Sequence, residues 1–131
     1  MNVVASKKGF SKENETVIVC AHYDSLSEFD PTISAPGAND NAAGVAAMME
    51  VAHVLSTFSL NRTLIFIAFS SEEFSLQGSM SWVTKNSEIL NCIIGVICLD
   101  GVAMGKTIAV MFTLEASDNL ARYICNTARK L

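Results

Sequence analysis

The chain has 131 residues, enough for one modest core and too few for a second. Half of the residues are hydrophobic, 17% are charged and the mean hydropathy is +0.36, a composition that has to bury surface and argues against disorder. Seven Gly and two Pro without any repeat remove fibrous and solenoid architectures, and nine Lys+Arg scattered through a chain of net charge −4 form no basic stripe for nucleic acid.

Asn2 to Ala5 and Thr16 to Ala21 (TVIVCA) are short β-branched runs joined by a polar Lys/Gly/Ser segment, the pattern of two strands with a turn. Tyr23 to Asn39 is a loop that holds Pro31, Pro36 and Gly37, and at seventeen residues it is longer than a plain connector in a compact domain. From Asn41 the residues Ala42, Val45, Met48, Met49, Ala52 and Leu55 recur at helical spacing behind Asp40 in the capping position, which predicts a helix to about Phe58. Leu64 to Phe69 (LIFIAF) is a continuous apolar run, as in a strand buried on both faces of a parallel sheet.

Ser75 to Asn86 is a weaker helix, Ile93 to Leu99 (IIGVICL) a second fully buried strand, and Ile108 to Leu114 (IAVMFTL) a further apolar one. Ser117 with Leu120, Tyr123, Ile124 and Ala128 gives a capped amphipathic helix that reaches the end of the chain. The alternation predicts an α/β fold, a three-layer α/β/α arrangement around a mostly parallel mixed sheet, with residues 1–131 as a single domain. Cys20, Cys92, Cys98 and Cys125 are widely spaced, and three of them sit inside apolar runs, so they are expected as small hydrophobes. The longest apolar runs fall far short of the ~20 residues that span a bilayer. The opening MNVVASKKGF lacks the pattern of a signal peptide, which leaves the compartment open.

The acidic and imidazole residues fall at the carboxyl ends of the predicted strands. TVIVCA ends in His22, Tyr23 and Asp24; the loop ends in Asp40; LIFIAFS leads to Glu72 and Glu73; IIGVICL ends in Asp100. In open α/β sheets that rim is where ligands bind, so separate segments would deliver one His and several carboxylates to one place. Crowded carboxylates repel unless a multivalent cation sits among them, and a mixed N/O donor set suits zinc and is compatible with cobalt or manganese. Asp24, two residues after His22 in extended chain, is placed to accept the imidazole's other N–H. Glu72 and Glu73 are adjacent, so their side chains diverge, and one can ligate metal while its neighbour serves as general base.

His22-Tyr23-Asp24-Ser25, Pro36-Gly37-Ala38-Asn39-Asp40-Asn41-Ala42-Ala43-Gly44, Ser71-Glu72-Glu73-Phe74 leading to Gly78-Ser79, and Leu99-Asp100 together resemble the successive motifs of the dinuclear zinc exopeptidases of clan MH, the group that includes bacterial leucyl aminopeptidases. The GANDNAAG block is the most specific of them. The resemblance implies that His22 and Asp100 ligate one zinc, that Asp40 bridges two, that Glu73 ligates the other, that Glu72 is the general base and that Asp24 orients His22. It implies a peptide or amino-acid-derived substrate and a water activated between metals ~3.5–4 Å apart.

The family pattern also requires a second His ligand well downstream. The other histidine, His53, lies thirteen residues past Asp40 on the predicted helix, about 20 Å away at 1.5 Å per residue, too far to close the site. The resemblance therefore covers the amino-terminal portion of the family's catalytic domain, and a partial domain is expected, with an open sheet edge, self-association through it and little activity by itself. Phe74-Ser75 and Gly101-Val102 depart from the family's usual turns around the substrate pocket. Two alternatives remain open at this point, a glutaminyl cyclase-like enzyme with one zinc and a non-catalytic peptidase-like binding domain, and metal content separates the three.

Overall fold

Ile18 and Cys20 alternate with Val19 and Ala21 along an extended segment, and all four are buried, so this strand is covered from both sides. The computed structural model describes residues 1–26 and 36–102. In chain order they form β1 (Val3–Lys7), β2 (Lys12–His22), α1 (Gly44–Ser56), β3 (Arg62–Phe69), α2 (Gln77–Lys85) and β4 (Ile93–Cys98). An irregular turn, Ala38–Ala43, precedes α1, and a short 3-10 turn, Ser87–Cys92, precedes β4.

The sheet order is β1-β3-β2-β4, with β1 antiparallel to β3 and β2 parallel to both β3 and β4. The connection β2–α1–β3 steps to one side of β2, and β3–α2–β4 steps back past it to the other. Right-handed crossovers then place α1 and α2 on opposite faces. The two apolar clusters agree: Ile18, Cys20 and Ile67 pack with Trp82 of α2, and Val19, Ala21 and Phe66 pack with Met48 of α1. The α/β fold expected from the sequence is the one observed, with an open sheet. Strand direction of travel reverses at β2, so the crevice for a ligand lies outside its carboxyl end, where His22 sits.

Local details differ from expectation in ways that have physical reasons. β1 and β2 are both strands but do not pair, because the link between them folds against the start of β3: Phe10 N–H donates to Leu60 O and Lys12 N–H to Asn61 O, both at 2.8 Å. The first helix begins at Gly44, and Asp40 and Asn41 adopt non-helical angles before it, so Asp40 is not its cap. β4 was expected to be buried on both faces; among the described residues it alternates, with Ile94 and Val96 53% and 56% exposed. The apolar run Ile108 to Leu114, the helix from Ser117 and most of the long loop lie outside the described residues.

Ile67 is fully buried between β2 and α2. Ile67→Ala is expected to lower unfolding stability by about 2–5 kcal/mol in a urea titration, against about 0.5 kcal/mol or less for Val4→Ala on the exposed edge strand. Equal losses at the two positions would contradict this core.

Candidate metal centre

Three strand ends and one turn bring the acidic residues together. His22 is the last residue of β2 and is buried, held at 4% exposure by the elements on either side. Its Nε2 lies 2.9 Å from Asp40 Oδ1 and 3.3 Å from Asp100 Oδ1. Asp40 comes from the irregular turn before α1, and Asp100 follows β4. Glu72 and Glu73 follow β3 in a turn that Ser71 enters with φ 55°, a left-handed conformation in which the chain reverses. His22, Asp40 and Glu73 each offer one ligand atom, and the three atoms lie within 4.8 Å of one another. His53 lies within α1, outside this group.

The tautomer of His22 follows from its neighbours. Nδ1 is 3.1 Å from the backbone carbonyl of Asp24, which can only accept, so Nδ1 carries a proton and Nε2 is the nitrogen turned to the acids, the one whose proton a metal ion would replace. Asp24 therefore steers the imidazole chiefly through its carbonyl, since the nearer carboxylate oxygen is 3.7 Å from Nδ1. The carboxylate has a different task. Its two oxygens accept the backbone N–H groups of Glu72 at 3.1 Å and Glu73 at 3.2 Å. One residue thus holds both the His end, through its carbonyl, and the Glu-Glu turn, through its carboxylate, and the acceptor geometry fixes where the paired glutamates leave the backbone.

The electrostatics are those of a site short of positive charge. Burial opposes charging of His22, but Asp100, Glu72 and Asp40 outweigh it and hold the imidazole above its usual range. Glu73 is also pushed up, first by partial burial and then by the Asp40 and Glu72 carboxylates beside it. A divalent cation among Asp40, Glu73 and Asp100 relieves that repulsion, and the single imidazole with hard oxygens is a donor set that zinc accepts. Asp40 and Asp100 keep about half of their side-chain surface open, so an ion can enter.

Asn41 belongs to the site's architecture and escaped the sequence reading, which gave the capping position to Asp40. It is 1% exposed, its Oδ1 accepts from Gly44 N–H at 3.1 Å, and its Nδ2 donates to Leu99 O at 2.8 Å. The signal that could have found it is an Asn three residues ahead of the amide it accepts from, the i to i+3 spacing that helix-capping side chains use. Cys20 is in the core as expected, and Cys98 sits opposite it in the β2–β4 register.

Among the described residues no helix is long and apolar enough to cross a membrane. Comparison with known proteins gives consistent results. Aminopeptidase YwaD of Bacillus subtilis is 40% identical over 88 residues, covering 66% of this chain and 18% of that protein. A probable zinc metalloprotease of Pyricularia oryzae is 38% identical over 92 residues, covering 67% of this chain and 18% of its own length. Among solved structures, BSAP, a zinc aminopeptidase from Bacillus subtilis, superposes with a TM-score of 0.66 at 38% identity, over 77% of this chain and 24% of that one. An aminopeptidase from Aneurinibacillus superposes with a TM-score of 0.67 at 35% identity, again over 77% of this chain and 24% of the other. The chain thus spans less than a quarter of the length of each of these relatives. Residues 2–131 match the family described as Peptidase family M28, and with the strand-end cluster of His22, Asp40, Glu73 and Asp100 in view the chain belongs to that family.

Proposed function

We propose that this chain carries part of the active site of a zinc-dependent aminopeptidase that removes the terminal residue of a peptide. The observation that carries the reading is the shared position of Asp40: it lies against His22 Nε2, with Asp100 on the same nitrogen, and it also belongs to the group with Glu73. In this reading Asp40 would be shared by two zinc ions, and His22 and Asp100 would hold one of them and Glu73 the other. Zinc bound there supplies a Lewis acid for the scissile carbonyl and lowers the pKa of water. The names of the relatives, aminopeptidases and zinc metalloproteases, support the same chemistry.

The chain's own residues divide the remaining work. Glu72 stays outside the ligand group and faces the same crevice as His22 and Asp100, where it takes the proton of the attacking water and passes it to the leaving amine. Asp24 fixes the amides of both glutamates, so the base and the ligand keep their relative placement. Asp24 O holds the Nδ1 proton of His22, which keeps Nε2 available. Residues 1–131 read as one partial catalytic domain, and β4, an edge among the described residues with Ile94 and Val96 outward, supports self-association with a second copy.

Calorimetric titration with zinc, together with an aminoacyl anilide assay on the polypeptide as its gene encodes it, tests the proposal. Two unequal zinc sites are expected, the His22–Asp40–Asp100 site the tighter in the 131-residue chain. Asp40→Ala should weaken both, and anilide hydrolysis should vanish with chelator and return with zinc. Two equally tight sites, or binding unchanged by Asp40→Ala, would overturn the ligand assignment; hydrolysis indifferent to chelator would overturn the enzyme reading.

A further inference from the structure

We infer that Asn41 is a positioning residue that sets the separation of Asp40 and Asp100, and that Gly44 is the partner it requires. The inference rests on the metal reading above. Asp40 departs from helical geometry: it sits in a turn with φ −116° and ψ 94°, followed by Asn41 at φ −136° and ψ 40°. The turn is closed on one side by Ala42 N–H donating to Gly37 O at 2.8 Å. On the other side its placement depends on the Asn41 side chain.

Both ends of that side chain are spent on backbone. Nδ2 donates to Leu99 O at 2.8 Å and Oδ1 accepts from Gly44 N–H at 3.1 Å. Asn41 directly follows Asp40 and Leu99 directly precedes Asp100, so one buried amide ties together the two residues that flank the two acids. Leu99 is anchored in turn, because its N–H donates to Cys20 O at 2.8 Å, two residues before His22 on β2. A continuous path of hydrogen bonds therefore connects the backbone around Asp40, Asp100 and His22 without involving any of their side chains. Partners that orient ligands in this way are typically worth ~10- to 100-fold in metal affinity.

Gly44 is where the clamp has no tolerance. A Cβ at that position would lie 2.2 Å from Asn41 Oδ1 and 2.4 Å from Leu99 O, closer than any real contact. Any side chain there pushes either the amide or the carbonyl aside. Substitution at Gly44 thus perturbs the Asp40–Asp100 spacing with every polar group of the site still present.

The test is titration of the 131-residue chain with cobalt(II) and with zinc, comparing the parent with Asn41→Ala, Asn41→Asp and Gly44→Ala. Binding isotherms, the visible absorption of bound cobalt and thermal unfolding are read on each sample, with titrations run well below the unfolding midpoint. All three variants are expected to lose ~10-fold or more in affinity, with a shifted cobalt spectrum that reports altered ligand geometry. Asn41→Asp is the discriminating change: it keeps the shape and the acceptor for Gly44 but cannot donate to Leu99 O, so a merely space-filling role would leave it like the parent. Parent-like affinity and spectrum in Asn41→Asp, or in Gly44→Ala, overturns the inference, and these two decide it if Asn41→Ala does not fold. A parent chain that takes up no metal overturns the metal reading itself, a different result from a parent and variants that bind alike.

Discussion

Glu72→Gln, made in a polypeptide that turns over an aminoacyl anilide, should lower kcat by ~10²- to 10⁴-fold, the usual contribution of a general base, while leaving metal content nearly intact. Glu73→Gln should do the reverse in order, losing metal first and activity with it. The distinction is sharp because the backbone of the pair is pinned. Asp24 accepts the amides of both residues, so a change of one side-chain oxygen to nitrogen does not release the turn. Glu73 is the member grouped with His22 and Asp40, and partial burial, followed by the Asp40 and Glu72 carboxylates, holds its pKa above the usual carboxylate value. That is the behaviour of a group waiting for a cation. Atomic absorption on the purified variants beside steady-state kinetics decides the matter. Metal lost from Glu72→Gln and kept by Glu73→Gln would exchange the two roles.

The α/β layout was readable because TVIVCA and LIFIAF have the length and continuous apolarity of strands covered on both sides, and because a helical spacing separates them. The carboxyl-end position of His22, Asp24, Asp40, Glu72, Glu73 and Asp100 could be read from the same segmentation, since a residue that ends a strand in such a sheet faces the ligand rim. Pattern along one strand reports which faces are buried and says nothing of which strand lies beside it. That is why β1 and β2 were joined by a turn in sequence but are separated by β3 in space. The exposure of Ile94 and Val96 has the same origin: an apolar run reads as buried on both faces whether or not the described chain supplies the second cover. The Asp24 carboxylate and the Asn41 amide were not readable in their actual roles, because each acts on backbone groups from a distant segment, forty-eight and fifty-eight positions away in the chain. Residue type alone cannot reveal such a partner.

Zinc should stabilise the chain more as the pH rises, and the metal-free chain should become less stable over the same range. His22 and Glu73 are both held above their ordinary values of 6.5 and 4.5. A group whose folded pKa is raised stabilises the fold fully below its unfolded value and loses that contribution as pH rises through the folded one. For the metal-free chain the loss therefore begins near pH 4.5 with Glu73 and continues past pH 6.5 with His22. Zinc needs the same two groups deprotonated, so below the raised His22 value its apparent affinity should fall by up to ~10-fold per pH unit, more steeply where Glu73 also takes a proton. The two curves of thermal midpoint against pH, one with chelator and one with excess zinc, should diverge between pH 5 and 8, the stability difference between them growing by ~RT ln of the factor gained in affinity. His22→Ala should flatten the divergence, since it removes both the main proton competitor and a ligand. A zinc-induced rise in midpoint that is the same at pH 5 and pH 8 would show that the cation binds elsewhere than at the His22 cluster.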